Sequence, residues 1–359
     1  MSFKKDGVII LLGAGCSAEA GIPTSAKMIT ELEELISGTK KDGRIDWASF
    51  ADLYYFVKSA MMYGFGIRGK FGNNASFNIE NLVNILSELE KWDTHPIYPF
   101  IGSWNNKLTE LGGKKFELIK ELKQNIKNKL EKWVTIKNYK DASYYSNFPR
   151  FKNELTFPLR VFSLNYDLCV EHNIGDLVLE RGFDDGNNRF WTSRKFEEVE
   201  NIPSADIYLY KLHGSINWER DDNGNLIYSD EISQISRPEL IFGTNYKLQY
   251  TDPYLFYVTE FRKFTLESQL IITIGYGYGD EHINKMLEQA IRNDPKRKIL
   301  CNVLGDKEKQ AFIMNEVKPL DPSQFIFSEI SAKEFLQDGL VVGNLEANIP
   351  PEIDIVEFS

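Results

Sequence analysis

The sequence is poor in the residues that build structure by cross-linking. It has three cysteines in 359 residues, Cys16, Cys169 and Cys301, an odd number set far apart. None forms a C-x-x-C pair, so neither a disulfide framework nor a structural zinc site is expected, and a reducing compartment is. All three read as small core residues. Long apolar runs are missing as well: none approaches the ~18 residues that a membrane span needs. The charged start, Met1-Ser-Phe-Lys-Lys-Asp, leads at once into a strand-length run ending in glycine, so no signal peptide is expected and the location reads as cytoplasmic. Positive charge is in deficit. At a formal net charge of −10 the chain has no bulk attraction for DNA or an anionic membrane. Internal repeats and low-complexity tracts are absent too.

The stretch from Gly7 to Pro23, G-V-I-I-L-L-G-A-G-C-S-A-E-A-G-I-P, is the most informative. Val8 to Leu12 has the unbroken apolar pattern of a parallel strand buried on both faces. It ends in Gly13 and Gly15, and a helix is expected from about Ser17. Glycines there let the backbone approach a phosphate, and the positive end of a following helix favours the anion. A diphosphate nucleotide is the natural guest. The spacing is not the G-x-G-x-x-G of a dinucleotide dehydrogenase, because the next glycine, Gly21, comes six residues after Gly15.

The same punctuation recurs downstream. Leu159–Leu164 reads as a strand running into Asn165-Tyr166-Asp167, and Ile207–Leu212 as one ending in His213-Gly214-Ser215. Leu240–Phe242 leads into Gly243-Thr244. Leu270–Ile274 ends in Gly275-Tyr276-Gly277-Tyr278-Gly279-Asp280. Arg297–Leu304 ends at Gly305-Asp306, and Phe325–Phe327 is short. Helices are expected at Ser25–Ile36, Asn81–Trp92, Asp252–Glu267, from Asp280 through Ile291, up to Val317, and at Ala332–Leu336. Strands that end in glycine or polar residues and alternate with helices define an α/β protein with a doubly wound, Rossmann-like parallel sheet. Residues 44–155 break the alternation. Aromatics cluster at Trp47–Phe56, and a lysine-rich amphipathic helix is expected over Leu108–Trp133, packed on its own neighbours with a solvated lysine face. This region reads as a helical insertion, with residues 1–43 and 156–359 forming the nucleotide domain. The tail from Asn348 reads as an extended arm.

Taken together, the loops G-A-G-C-S-A-E-A-G-I-P, S-L-N-Y-D, K-L-H-G-S, I-F-G-T and I-G-Y-G-Y-G-D-E-H-I-N resemble the sirtuin (silent information regulator) superfamily, most closely its bacterial, defence-associated branch. The resemblance covers roughly residues 5–37 and 156–340. It implies that Gly13, Ala14, Gly15 and Ser17 cradle the phosphates of NAD, and that Gly21, Ile22 and Pro23 shape a flap over the nicotinamide ribose. It implies catalytic roles for Asn165, Asp167 and His213, and puts Gly275 and Tyr276 at the adenosine half, with Asn302 and Asp306 nearby.

Two departures redirect the chemistry. Where sirtuin deacylases continue G-I-P with Asp-Phe-Arg, this chain has Thr24, Ser25 and Ala26. Ser215–Glu239, where a deacylase carries its four-cysteine zinc ribbon, holds no cysteine. Acetyl-lysine is then a poor acceptor and water a good one, so the expectation is NAD hydrolysis without a metal, depleting NAD during phage infection. By resemblance the protein is a homo-oligomer or answers to a separately encoded partner such as a HerA-type ATPase. Deacylation or ADP-ribosyl transfer, and a sensor that binds NAD or ADP-ribose without chemistry, are the competing readings. Chemistry independent of the family agrees. An oxocarbenium-like centre is helped by a carboxylate, Asn165 can bind water or a ribose hydroxyl, and His213 can serve as base near neutral pH. His95, His172 and His282 read as ordinary hydrogen-bonded residues.

Overall fold

Short apolar runs, buried on both faces, build the main sheet. The computed structural model describes residues 3–69, 77–91, 106–185, 189–197, 203–242 and 251–347. Its strands are β1 (Val8–Leu12), β2 (Leu159–Ser163), β3 (Leu179–Glu180), β4 (Ile207–Lys211), β5 (Gly214–Ser215), β6 (Trp218–Arg220), β7 (Leu226–Tyr228), β8 (Glu239–Leu240), β9 (Leu270–Ile274), β10 (Lys298–Asn302) and β11 (Phe325–Ser328). Seven of them form one sheet in the order β11-β10-β9-β1-β2-β4-β3, every pair parallel. The doubly wound sheet expected from the sequence is therefore present. The chain winds from β1 outward through β2 and β4, then returns to the other side of β1 through β9, β10 and β11. Two antiparallel pairs, β5 with β8 and β6 with β7, stand apart from it.

All residues of β1, β2, β4 and β9 are buried. A fully buried Ile, Leu or Phe side chain stabilises the fold by about 1.5–3 kcal/mol. On one face Phe162 stacks on Tyr210 with centroids 4.5 Å apart, and Phe261 and Phe264 of the helix Tyr254–Glu267 close over them. The charged residue in this core is satisfied. Arg160 donates from Nε to Asp6 (2.7 Å) and from Nη1 to Tyr210 (2.9 Å), and its guanidinium sits 3.9 Å from the Phe264 ring centre.

The helix expected from Ser17 is a 3-10 segment, Ala14–Ala20, and the first α-helix is Ser25–Ile36. The cause is local. The amide of Cys16 donates back three residues to the Gly13 carbonyl, and Gly21 ends the turn at φ 96°. The dipole of a long helix is consequently absent next to the glycine loop.

The chain folds as two compact units. One comprises Met1–Ile22, Ile136–Leu240 and Leu248–Ser359 and holds the sheet; the other comprises Pro23–Thr135 and Ile241–Lys247. These bounds group the helix Ser25–Ile36 with the second unit and Ile136–Leu155 with the first. Within the second unit are the helices Ser25–Ile36, Ala51–Ile67, Ile79–Glu90, Asn106–Gly112 and Glu117–Val134. The single helix expected over Leu108–Trp133 is thus two, because Gly113 takes φ 73° and breaks it. Ile119, Leu122, Ile126, Leu130 and Trp133 are buried as their spacing implied. Lys129 departs from the solvated lysine face: it is buried, 3.2 Å from Glu31 and 3.2 Å from Asp42.

Among the described residues no helix is long and apolar enough to cross a membrane. His95, Trp92, Gly243-Thr244 and the tail from Asn348 lie outside them.

Candidate active site

Parallel register places the carboxyl ends of five strands in one row. Leu12 is level with Ser163 and with Ile274, Ser163 with Lys211, and Ile274 with Asn302. The residues beyond this row are those the sequence pointed to: Gly13 after β1, Asn165 after β2, His213 after β4 and Gly275-Tyr276 after β9. Open α/β sheets bind ligands outside the carboxyl ends of their strands, where the winding reverses; here that point is β1.

The glycine turns hold each other. A Cβ on Gly275, which has φ 61°, would lie 2.2 Å from the Cys16 nitrogen, and one on Gly13 or Gly15 would meet the Gly275 turn at 2.6–2.8 Å. Gly13 donates to the Ile274 carbonyl and Gly15 to that of Gly275, both at 2.9 Å. Three amides of the loop, those of Gly13, Gly15 and Cys16, are therefore committed to protein carbonyls, and these glycines answer to backbone packing. Ala14 and Gly21 are exposed, Ile22 is buried and Pro23 half-buried.

Ser17 is fully buried and its hydrogen bonds are complete. Oγ donates to Asp167 Oδ2 (2.8 Å) and accepts from Asn165 Nδ2 (3.4 Å). Its contact with the Tyr145 hydroxyl (3.1 Å) then has tyrosine as donor, since the one serine proton is already given. Burial raises the Tyr145 pKa well above its ordinary value, which keeps that proton in place. Asp167 Oδ1 accepts from the Cys169 amide (3.0 Å), so both carboxylate oxygens are bonded. Asn165 donates its other amide hydrogen to the Gly13 carbonyl (3.0 Å). Both Nδ2 hydrogens are used, which leaves Oδ1 as the acceptor of this side chain.

His213 stands two residues past Lys211, as Asn165 stands two past Ser163. Gly214 follows at φ 89°, where a Cβ would overlap the Glu239 carbonyl oxygen at 2.0 Å, so the turn that presents the histidine admits only glycine. Nε2 of His213 lies 3.2 Å from Oδ2 of Asp280, and both residues are buried. Tyr276 is buried; its hydroxyl donates to the side chain of Asn284 (2.8 Å) and contacts the Asp280 carbonyl (3.1 Å), which ties the turn after β9 to the next helix, Glu281–Asn293. Lys211 fixes the Asn165 loop from below, donating to the carbonyls of Tyr166 and Asp167 and pairing with Glu171 at 3.2 Å.

Asn302 and Asp306 have structural partners. Asn302 donates to Ser328 and Ile330, and Asp306 caps the helix Lys307–Val317. Sequence reasoning missed Tyr145 and Asp280. The aspartate did carry a signal, being the last residue before a helical pattern, but that signal announces a cap only. Tyr145 had none, since it lies about 130 residues from the loop it contacts. Burial pushes the thiols of Cys16 and Cys169 upward and that of Cys301 to about 12, so all three stay protonated at neutral pH. Among the described residues there is no cluster of His, Cys, Asp and Glu suited to a metal ion.

Sheet order and site define a doubly wound α/β protein with buried polar residues beyond the ends of its central strands. The family model of the SIR2-like domain matches residues 159–316, a stretch that includes Asn165, Asp167, His213, Gly275 and Tyr276 and starts after the β1 loop. The chain thus carries a SIR2-like domain over that stretch. Among solved structures it is similar to a Sir2 homologue in complex with NAD, at 13% identity over 95% of this chain and 90% of that one, TM-score 0.43. A mutant Sir2 homologue with 2′-O-acetyl ADP-ribose is similar at 12% identity over 97% and 94%, TM-score 0.43. No curated protein matches the chain in sequence.

Proposed function

We propose that this protein hydrolyses NAD at the bond between nicotinamide and ribose, releasing nicotinamide and ADP-ribose. The observation that carries the reading is the orientation of Asn165. With both amide hydrogens committed to Gly13 and Ser17, Asn165 offers an acceptor, Oδ1, and an acceptor orients a water or ribose hydroxyl. His213, two residues past the adjacent strand, is the base. In the reaction water attacks the anomeric carbon as the glycosidic electron pair leaves with the nicotinamide nitrogen, and the water's proton passes to His213. Asp167 acts from behind: its bond to Ser17 turns the serine oxygen toward Asn165, and its charge favours the cationic centre. The exposed Ala14 and Gly21 and the buried Ile22 belong to the loop assigned to the phosphates and the ribose flap.

A defence role in phage infection, and control by self-assembly or by a HerA-type ATPase, extend this proposal through the resemblance alone. The purified chain, alone and with candidate partners, is incubated with NAD while nicotinamide is measured. Asn165→Ala and His213→Ala are expected to lower turnover by roughly 10²–10⁴-fold. Wild type that releases no nicotinamide under any of these conditions sinks the reading. So does release that requires an acyl-lysine peptide, which would restore the deacylase.

A further inference from the structure

Asp280 reaches beyond its helix cap. Its Oδ1 accepts from the amides of His282 (3.0 Å) and Ile283 (3.4 Å), the ordinary N-cap arrangement for Glu281–Asn293. Its Oδ2 faces the other way, 3.2 Å from Nε2 of His213. His213 is 6% exposed and Asp280 5%, so little water separates or screens the pair. An unprotonated Nε2 would set its lone pair against a carboxylate oxygen at that distance. The pair is an ionic contact out of hydrogen-bond alignment, and a proton on Nε2 is what makes that contact attractive.

We propose that Asp280 is a positioning residue for the reaction, holding His213 with its proton on Nε2 and so making Nδ1 the atom that accepts the proton of the attacking water. The proposal rests on the hydrolase reading and adds to it which nitrogen works and what sets that choice. As Nδ1 takes the proton the ring becomes an imidazolium, and the carboxylate beside it stabilises the new charge. The same aspartate that starts the helix after β9 thereby reaches the base at the end of β4, three strands away in the sheet order.

Asp280→Asn tests this because asparagine retains a cap acceptor and removes the charge. Its amide can also donate to Nε2, which drives the proton to Nδ1. The wild type and the variant are labelled with ¹⁵N-histidine; the sequence has four histidines, and His213→Gln identifies the signal. The neutral Nε2–H form is expected for His213 in the wild type and the Nδ1–H form in the variant. Turnover of NAD is expected to fall roughly 10²-fold with KM changed by less than about threefold. A wild-type His213 protonated on Nδ1 overturns the proposal, and so does a folded Asp280→Asn protein with unchanged turnover. A wild type that never releases nicotinamide would overturn the hydrolase reading, while the nitrogen spectra would still decide the Asp280–His213 pairing.

Discussion

Asn165 is held from behind by two acceptors, and one of them, Ser17, has no bonding capacity left. A serine in that state positions its neighbour, and its removal has a definite signature. Ser17→Ala leaves Asp167 Oδ2 buried without its donor and releases Asn165 to flip. We expect a loss of about 1–3 kcal/mol in stability and a fall in turnover with little change in KM. A rise in KM at unchanged turnover would instead return Ser17 to the phosphates. Gly275 gives a sharper structural test. At φ 61° with the Cys16 nitrogen 2.2 Å from any Cβ, Gly275→Ala has to open the contact between two strand-end turns. The expected cost is about 2 kcal/mol or more, read as a lower melting temperature together with lost activity.

Helix ends and helix faces set the behaviour of the larger elements. Asp306 caps Lys307–Val317 through the amides of Glu308 and Lys309. Asp306→Ala is expected to cost about 1 kcal/mol of stability and to leave turnover intact, which makes it the control for Asp280. In the helical unit, Lys129 of Glu117–Val134 joins Glu31 and Asp42. Burial pushes both carboxyls up, and their lysine partners outweigh it: Lys40 and Lys129 hold Glu31, and Lys129 and Lys132 hold Asp42, below the ordinary values of 4.5 and 3.8. A carboxylate depressed in the folded state contributes stability that is present above its unfolded pKa and lost as pH falls through the folded one. Denaturant midpoints taken from about pH 5 down to about pH 3 should therefore fall in the wild type. Lys129→Met should lower stability at neutral pH and flatten that acid slope; an unchanged slope would show that the three groups are not coupled.

For the whole molecule the consequence is ligand linkage. A chain that binds NAD in its folded state and not in its unfolded state gains about 2.7 kcal/mol at a ligand concentration a hundred times its Kd. Asn165→Ala, which is expected to slow consumption, should therefore melt several degrees higher with NAD present. An unmoved melting curve at millimolar NAD would argue against a dinucleotide site. The net charge of −10 carries a complementary expectation: no retention of duplex DNA at physiological salt, checked by gel mobility.

The strands and their polar ends were legible in the sequence because parallel strands buried on both faces leave short, largely apolar runs: Val8–Leu12 is unbroken, Leu270–Ile274 carries one threonine, Leu159–Ser163 carries Arg160 and Ser163, and Ile207–Lys211 ends in Lys211. Asn165 and His213 could be placed at the strand ends for the same reason, while their roles were implied by the resemblance of the loops that hold them. The pinning of the Gly13–Gly15 loop was not legible, since Gly13 and Gly15 donate to carbonyls of the β9 turn some 260 residues later. Neither was the role of Ser17, which needed Tyr145 and Asp167 on either side of it. The sequence by itself determined the sheet and the row of residues at its edge, through local periodicity. Only the tertiary structure decided what those residues face, because hydrogen bonds such as Ser17 to Asp167 and the close approach of Asp280 to His213 join segments whose spacing along the chain carries no pattern.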